Sequence, residues 1–250
     1  MIDTQPSVAR RLLGLMDLTS LHDDDDAESV RALASLAVSS AGRVAAFCTW
    51  PEFIPIARQS LRDSGVAVAA VANFPAGADE AAIAAAEAAA AIADGADEVD
   101  VVFPYRAFLD GDRMGGLSLV RACRSACGPN KLLKVILETG QLRHRELIRS
   151  AASLAIEGGA HFLKTSTGKT QPGATPEAVA ALIEVIAEAR DNGRSIGLKV
   201  SGGVSSIVQA QAYLDLYEQT LGPESATSAT FRIGTSTLIR PVLAALQGSI

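Results

Sequence analysis

The sequence is poor in the residues that define several protein classes. Only three cysteines occur among 250 residues: Cys48, Cys123 and Cys127. An odd, sparse set without ligand spacing argues against a disulfide scaffold and against structural zinc. It points instead to a reducing compartment, and a cytoplasmic location is expected. The three histidines, His22, His144 and His161, show no metal-ligand spacing. No metal site is expected, and His161, early in a strand, reads as structural. Aromatics make up 4% of the chain, and the one tryptophan, Trp50, reads as a core or rim residue. Basic residues are outnumbered, 22 to 28, and no basic patch stands out. Nucleic acid is therefore not an expected partner. The negative balance bears on solubility and not on fold.

Long apolar runs are also missing. The alanine run from Ala81 to Ala93 is too short to span a bilayer. It contains Glu87 and is bracketed by Asp79-Glu80 and Asp94. It reads as a helix packed closely on a sheet, with no membrane partner. The start, Met1 to Pro6, lacks a basic segment followed by an apolar one, so no signal peptide is expected. No Gly-x-Gly-x-x-Gly follows the first strand, which counts against a dinucleotide fold.

What is present is an alternation. The chain is 48% hydrophobic, ample for a large core, and its length suits one α/β barrel domain over residues 1–250. A leading helix over 6–16 is followed by eight β segments: 17–21, 43–50, 66–74, 96–103, 132–138, 160–164, 196–200 and 230–233. Helices are expected after each, including one over 27–41, the alanine helix, and others over 117–127, 143–157 and 205–220. The acidic run Asp23 to Asp26 fits a helix N-terminus, where carboxylates oppose the dipole favourably. Residues 221–229 read as a surface loop. The strands are rich in Val, Ile, Leu and Ala, as parallel strands covered on both faces should be. Eight such units predict a (β/α)8 TIM barrel with a short N-terminal helix; a doubly wound open sheet is the alternative.

In a barrel the C-terminal strand ends form the active face. Asp17, Cys48, Asn73, Asp100, Glu138, Lys164 and Lys199 all fall in or near such an end, and are expected to converge on one mouth. Lys164 closes an apolar run, where burial disfavours its ammonium form. A neutral lysine attacks carbonyls and forms a Schiff base. Lys199 lies in the next βα unit, so two close ammoniums would push each other apart in pKa. Asp100, flanked by valines, is the best candidate for a buried carboxylate that holds Lys199 charged and positions a water for proton transfer. Cys48 reads by default as a small buried hydrophobe. Three glycine loops follow three successive strands: Gly168-Lys169, Gly202-Gly203 and Gly234-Thr235-Ser236. Such loops let backbone N–H groups approach an anion. In barrels the last two of these positions often hold a phosphate.

These stretches resemble a known family. Phe162-Leu-Lys-Thr-Ser-Thr-Gly-Lys169, Glu98-Val-Asp-Val-Val-Phe-Pro-Tyr-Arg106, Leu133-Lys-Val-Ile-Leu-Glu-Thr-Gly140 and Lys199-Val-Ser-Gly-Gly203 are similar to deoxyribose-phosphate aldolases. Met16-Asp-Leu-Thr-Ser-Leu21 and Phe231-Arg-Ile-Gly-Thr-Ser236 fit as well. The matches run in order over about residues 11 to 240. The resemblance implies reversible cleavage of 2-deoxy-D-ribose 5-phosphate to acetaldehyde and glyceraldehyde 3-phosphate, a step of deoxyribonucleotide catabolism. It implies a (β/α)8 barrel with no metal or organic cofactor. It makes Lys164 the Schiff-base lysine, Lys199 its charged neighbour and Asp100 part of the proton relay. Asp17 and Cys48 match pocket positions, and Gly168, Lys169, Gly202, Gly203, Gly234 and Ser236 match phosphate contacts. The expected partners are a phosphosugar and aldehydes, and a homodimer is implied without a legible interface. The pattern departs at Ser205, where the family often carries arginine, which weakens the expected phosphate preference. Two alternatives stay open: a transaldolase-type Schiff-base enzyme and a non-catalytic phosphosugar-binding barrel.

Overall fold

The computed structural model describes residues 5–247. Eight parallel strands close on themselves. In chain order they are β1 Met16–Ser20, β2 Ala46–Thr49, β3 Ala67–Ala72, β4 Glu98–Val102, β5 Leu132–Ile136, β6 Phe162–Lys164, β7 Gly197–Ser201 and β8 Phe231–Thr235. Each strand pairs with its sequence neighbours, and β1 is bonded on both edges, to β2 and to β8. The sheet is therefore the closed (β/α)8 TIM barrel that the alternation predicts, and the open doubly wound sheet is ruled out. Among the described residues no helix is long and apolar enough to cross a membrane.

The leading helix runs Gln5–Gly14. Residues 1–4, on which the signal-peptide reading mainly rests, lie outside the described residues. The helix expected over 27–41 is shorter, Ala27–Ala34. A single 3-10 turn follows, and then an antiparallel ribbon pairs Val38 with Arg43 and Ser39 with Gly42. Gly42 turns that ribbon with φ +137°, a conformation an L side chain rarely adopts. The alanine helix, Ala81–Ala93, buries Ala84, Ala88 and Ala91. Their small side chains let it lie close to its neighbour Arg113–Cys127.

Strand alternation divides the core into two environments. On β4, Val99 and Val101 join the apolar layer beneath the helices. Glu98 and Asp100 alternate with them and reach partners on other strands across the barrel. On the β2–β3 side the interior is small and apolar, with Cys48, Ala69 and Val71 packed under Trp50 and Phe74. The opposite side is charged. Glycine makes room for it: a Cβ on Gly234 would come within 2.9 Å of Lys199 Cε, and one on Gly197 within 2.3 Å of the Phe162 ring.

Candidate active site

Register brings the two lysines together. Lys164, the last residue of β6, pairs in register with Lys199 on β7. Beyond that pair the strands are locked by side chains. The Thr165 hydroxyl donates to Ser201 O at 2.8 Å, and the Ser201 hydroxyl donates to Ser166 O at 2.6 Å. Both ammoniums reach one carboxylate oxygen, Asp100 Oδ2, Lys164 Nζ at 2.9 Å and Lys199 Nζ at 2.7 Å. Lys199 has a second partner, Asp17 Oδ2, at 2.7 Å. The expected grouping of Asp17, Asp100, Lys164 and Lys199 is therefore present, and all four are buried. Cys48 joins it, with Sγ 4.0 Å from Asp100 Oδ2. Burial pushes the Cys48 thiol up, so it stays protonated at neutral pH.

Three members of the cluster were not singled out as site residues from sequence. Lys134 on β5 touches three carboxylates: Glu98 at 2.5 Å, Asp100 Oδ1 at 2.7 Å and Asp17 at 3.4 Å. Arg232 on β8 bridges Asp17 at 2.6 Å and Glu98 at 3.1 Å. The signal for both was a lone charge inside an apolar strand, Leu132-Leu133-Lys134-Val135-Ile136 and Phe231-Arg232-Ile233. Glu98 shares a face of β4 with Asp100, as strand alternation requires.

The charge count decides how these groups behave. Lys134, Lys164, Lys199 and Arg232 face Asp17, Glu98 and Asp100, four cations against three anions. Among the four, Lys164 has the fewest carboxylate contacts, a single oxygen shared with Lys199. Burial and the Lys199 charge lower its pKa, although Asp100 opposes them. Burial also works against the Lys199 ammonium, but Asp100 and Asp17 outweigh it and the Lys199 pKa is raised. For Asp100 burial is outweighed by Lys134, Lys164 and Lys199, which hold it well below the usual carboxylate range. The lysine that gives up its proton most readily is thus Lys164, while Lys199 and Asp100 stay ionised.

A cleft of about 240 Å³ opens above the cluster, and the buried Lys164 is among the residues that line it. The six residues expected to contact phosphate, Gly168, Lys169, Gly202, Gly203, Gly234 and Ser236, all line this one cleft. Gly168, Gly202 and Gly203 have positive φ. Lys169 stands at the rim with its Nζ 2.5 Å from Asp23 Oδ1 and 5.5 Å from the centre of the Trp50 ring. The acidic run is split among tasks. Asp23 pairs Lys169, Asp25 accepts from the Ser20 hydroxyl, and Asp26 caps the helix at Ala27 as expected of the run. Ser205 lines the cleft too, with its N–H donated to Gln209 Oε1 at 3.2 Å.

Two expected members of the mouth are employed elsewhere. Asn73 has φ +53° and donates to Ala78 O and Val102 O, tying down the loop after β3. Glu138, also at φ +53°, accepts from the Thr167 hydroxyl at 2.6 Å and so braces the loop after β6. His161 accepts from Leu133 N at 3.0 Å, a structural role. Among the described residues, no group of three or more His, Cys, Asp or Glu could hold a metal ion.

Comparison with known proteins agrees with the fold. Residues 11–219 match the model of the DeoC/LacD family aldolases. A provisionally named deoxyribose-phosphate aldolase from Toxoplasma gondii ME49 superposes with a TM-score of 0.89 at 28% identity, over 98% of this chain and 96% of that one. The tetrameric deoxyribose phosphate aldolase of Aeropyrum pernix gives 0.74 at 25% identity, over 99% and 94%. A provisionally named deoxyribose-phosphate aldolase from Coccidioides immitis gives 0.81 at 27%, over 94% and 86%. The chain belongs to the DeoC/LacD family of aldolases.

Proposed function

We propose that this single-domain chain is a class I aldolase that reversibly cleaves 2-deoxy-D-ribose 5-phosphate to acetaldehyde and D-glyceraldehyde 3-phosphate. The observation that carries the reading is Lys164: a buried lysine with one shared carboxylate contact, facing a glycine-walled cleft.

Neutral Lys164 attacks C1 of the open-chain sugar. The carbinolamine loses water and leaves an iminium. The iminium accepts the electron pair of the C2–C3 bond as that bond breaks, and the C3 hydroxyl gives up its proton. Glyceraldehyde 3-phosphate departs, and an enamine remains on Lys164. Protonation at C2 restores an iminium, which water hydrolyses to acetaldehyde and free lysine. Asp100 and Lys199, with a water held between them and the substrate, serve the two proton transfers. The glycine loops and Lys169 receive the phosphate, which fixes the sugar's far end.

The test is release of acetaldehyde from 2-deoxyribose 5-phosphate, followed by reduction with a coupled alcohol dehydrogenase. Acetaldehyde is expected, and acetaldehyde is also the expected donor in synthesis. A requirement for a ketose donor would overturn the substrate assignment in favour of a transaldolase-type enzyme.

The rim makes a narrower prediction. In the free protein Asp23 competes with the substrate's phosphate for Lys169. The pair is exposed, so the competition is weak. Asp23→Asn is expected to lower KM for the phosphorylated sugar about two- to threefold, with kcat and unphosphorylated 2-deoxyribose little affected. An unchanged KM ratio between the two sugars would show that Lys169 does not meet the phosphate.

A further inference from the structure

We propose that Lys134 is a positioning residue that sets the charge balance of the buried cluster, and through Asp100 sets how readily Lys164 sheds its proton. The inference rests on the reading of Lys164 as the Schiff-base lysine and extends it to a residue that no substrate can touch.

Lys134 is fully buried and lies outside the cleft lining. It contacts all three carboxylates of the cluster. Asp100 divides its oxygens: Oδ1 goes to Lys134, and Oδ2 is shared by Lys164 and Lys199. Lys134 therefore draws on the same carboxylate that stabilises the Lys164 ammonium. The charged or titratable groups facing Lys164 are Asp100 from β4, Lys199 from β7 and Cys48 from β2. Those facing Lys134 are Asp17 from β1, Cys48 from β2, Glu98 and Asp100 from β4, Lys199 from β7 and Arg232 from β8. One excess positive charge is confined in this set, and Lys164 has the weakest hold on its proton.

Changing the count should move Lys164 in a direction fixed by sign. Lys134→Met removes a cation and frees Asp100, so the Lys164 ammonium is favoured. Glu98→Gln removes an anion and leaves Lys134 leaning on Asp100, so the neutral amine is favoured. Charges a few ångströms apart in a protein interior shift one another by about one pH unit or more.

The experiment measures the ascending limb of kcat/KM against pH, together with the pH dependence of borohydride-trapped acetaldehyde on Lys164. Lys134→Met is expected to move both to higher pH, Glu98→Gln to lower pH, and the double variant back toward the parent. Opposite shifts and their cancellation are not produced by loss of packing alone. Shifts of the same sign, or limbs that do not move in folded variants, would overturn the inference. If one single variant fails to fold, the double variant and the other single variant still decide the sign. Absence of any Lys164 adduct in the unaltered enzyme overturns the Schiff-base reading itself, a separate outcome.

Discussion

Lys164→Met is expected to lower kcat on the order of 10⁵-fold or more, the scale on which enzymes lose activity when a covalent nucleophile is removed. The fold should survive. Methionine nearly matches lysine in length, and Lys164 contributes one shared contact to Asp100. Its removal leaves Lys134, Lys199 and Arg232 against Asp17, Glu98 and Asp100, three cations against three anions. A buried charge with an incomplete partner set costs desolvation free energy that its pairing does not fully return. The variant should therefore melt no lower than the parent, and acetaldehyde release and a melting curve on one preparation check both halves. A folded Lys164→Met protein with a few per cent of parental turnover would remove the nucleophile from the mechanism.

Asp100→Leu tests the opposite side of the pairing and should damage stability as well as activity. Asp100 contacts Lys134, Lys164 and Lys199, and all four side chains are buried. Removing one member of a buried pair strands the others, at a cost of about 3–5 kcal/mol. For a chain of this size that corresponds to a fall in Tm of roughly 6–20 °C. Loss of the proton relay should lower kcat a further roughly 10²–10⁴-fold in the fraction that remains folded.

The pH dependence follows from the directions of the shifts. Asp17 and Asp100 have native pKa values below the ordinary 3.8. Their stabilisation is complete well above pH 3.8, where the unfolded chain is also ionised, and is lost as the pH falls through the native values. The gap in stability between the parent and Asp100→Leu should thus be widest near neutral pH and should narrow in acid. On the alkaline side, Lys134 and Lys199 have native values above 10.5. Their contribution is complete below 10.5 and declines as the pH rises beyond it. Urea denaturation from pH 3 to 7 measures the acid limb, and a gap that stays constant across it would contradict the assignment of Asp100 as the depressed carboxylate.

The fold was largely legible because parallel strands bury both faces and so stand out as short apolar runs between amphipathic helices. The helix expected over 27–41 was cut at Ala34 because Gly42 and the strand-prone Val38 build a ribbon there, a local choice that helical periodicity did not register. In the site, Lys164 and Lys199 were legible because they follow apolar runs and precede glycine loops. Lys134 and Arg232 were not singled out. A single charge in a strand reads the same whether it points to helices, to solvent or into the barrel, and only the closed register shows which. The Lys169–Asp23 pair joins residues 146 positions apart in the chain and leaves no local signature. Asn73 and Glu138 illustrate the reverse: both sit just past strand ends, yet the positive φ at each turns them toward neighbouring loops.

The most direct test of the central claim is borohydride trapping of the unaltered protein with 2-deoxyribose 5-phosphate, followed by intact mass and peptide mapping. The account predicts one reduced two-carbon adduct, located on Lys164, because the sugar is cut between C2 and C3 and the acetaldehyde carbons remain on the lysine. An adduct on Lys134, Lys199 or Lys169, or a folded protein that binds the phosphosugar and traps nothing, would contradict it.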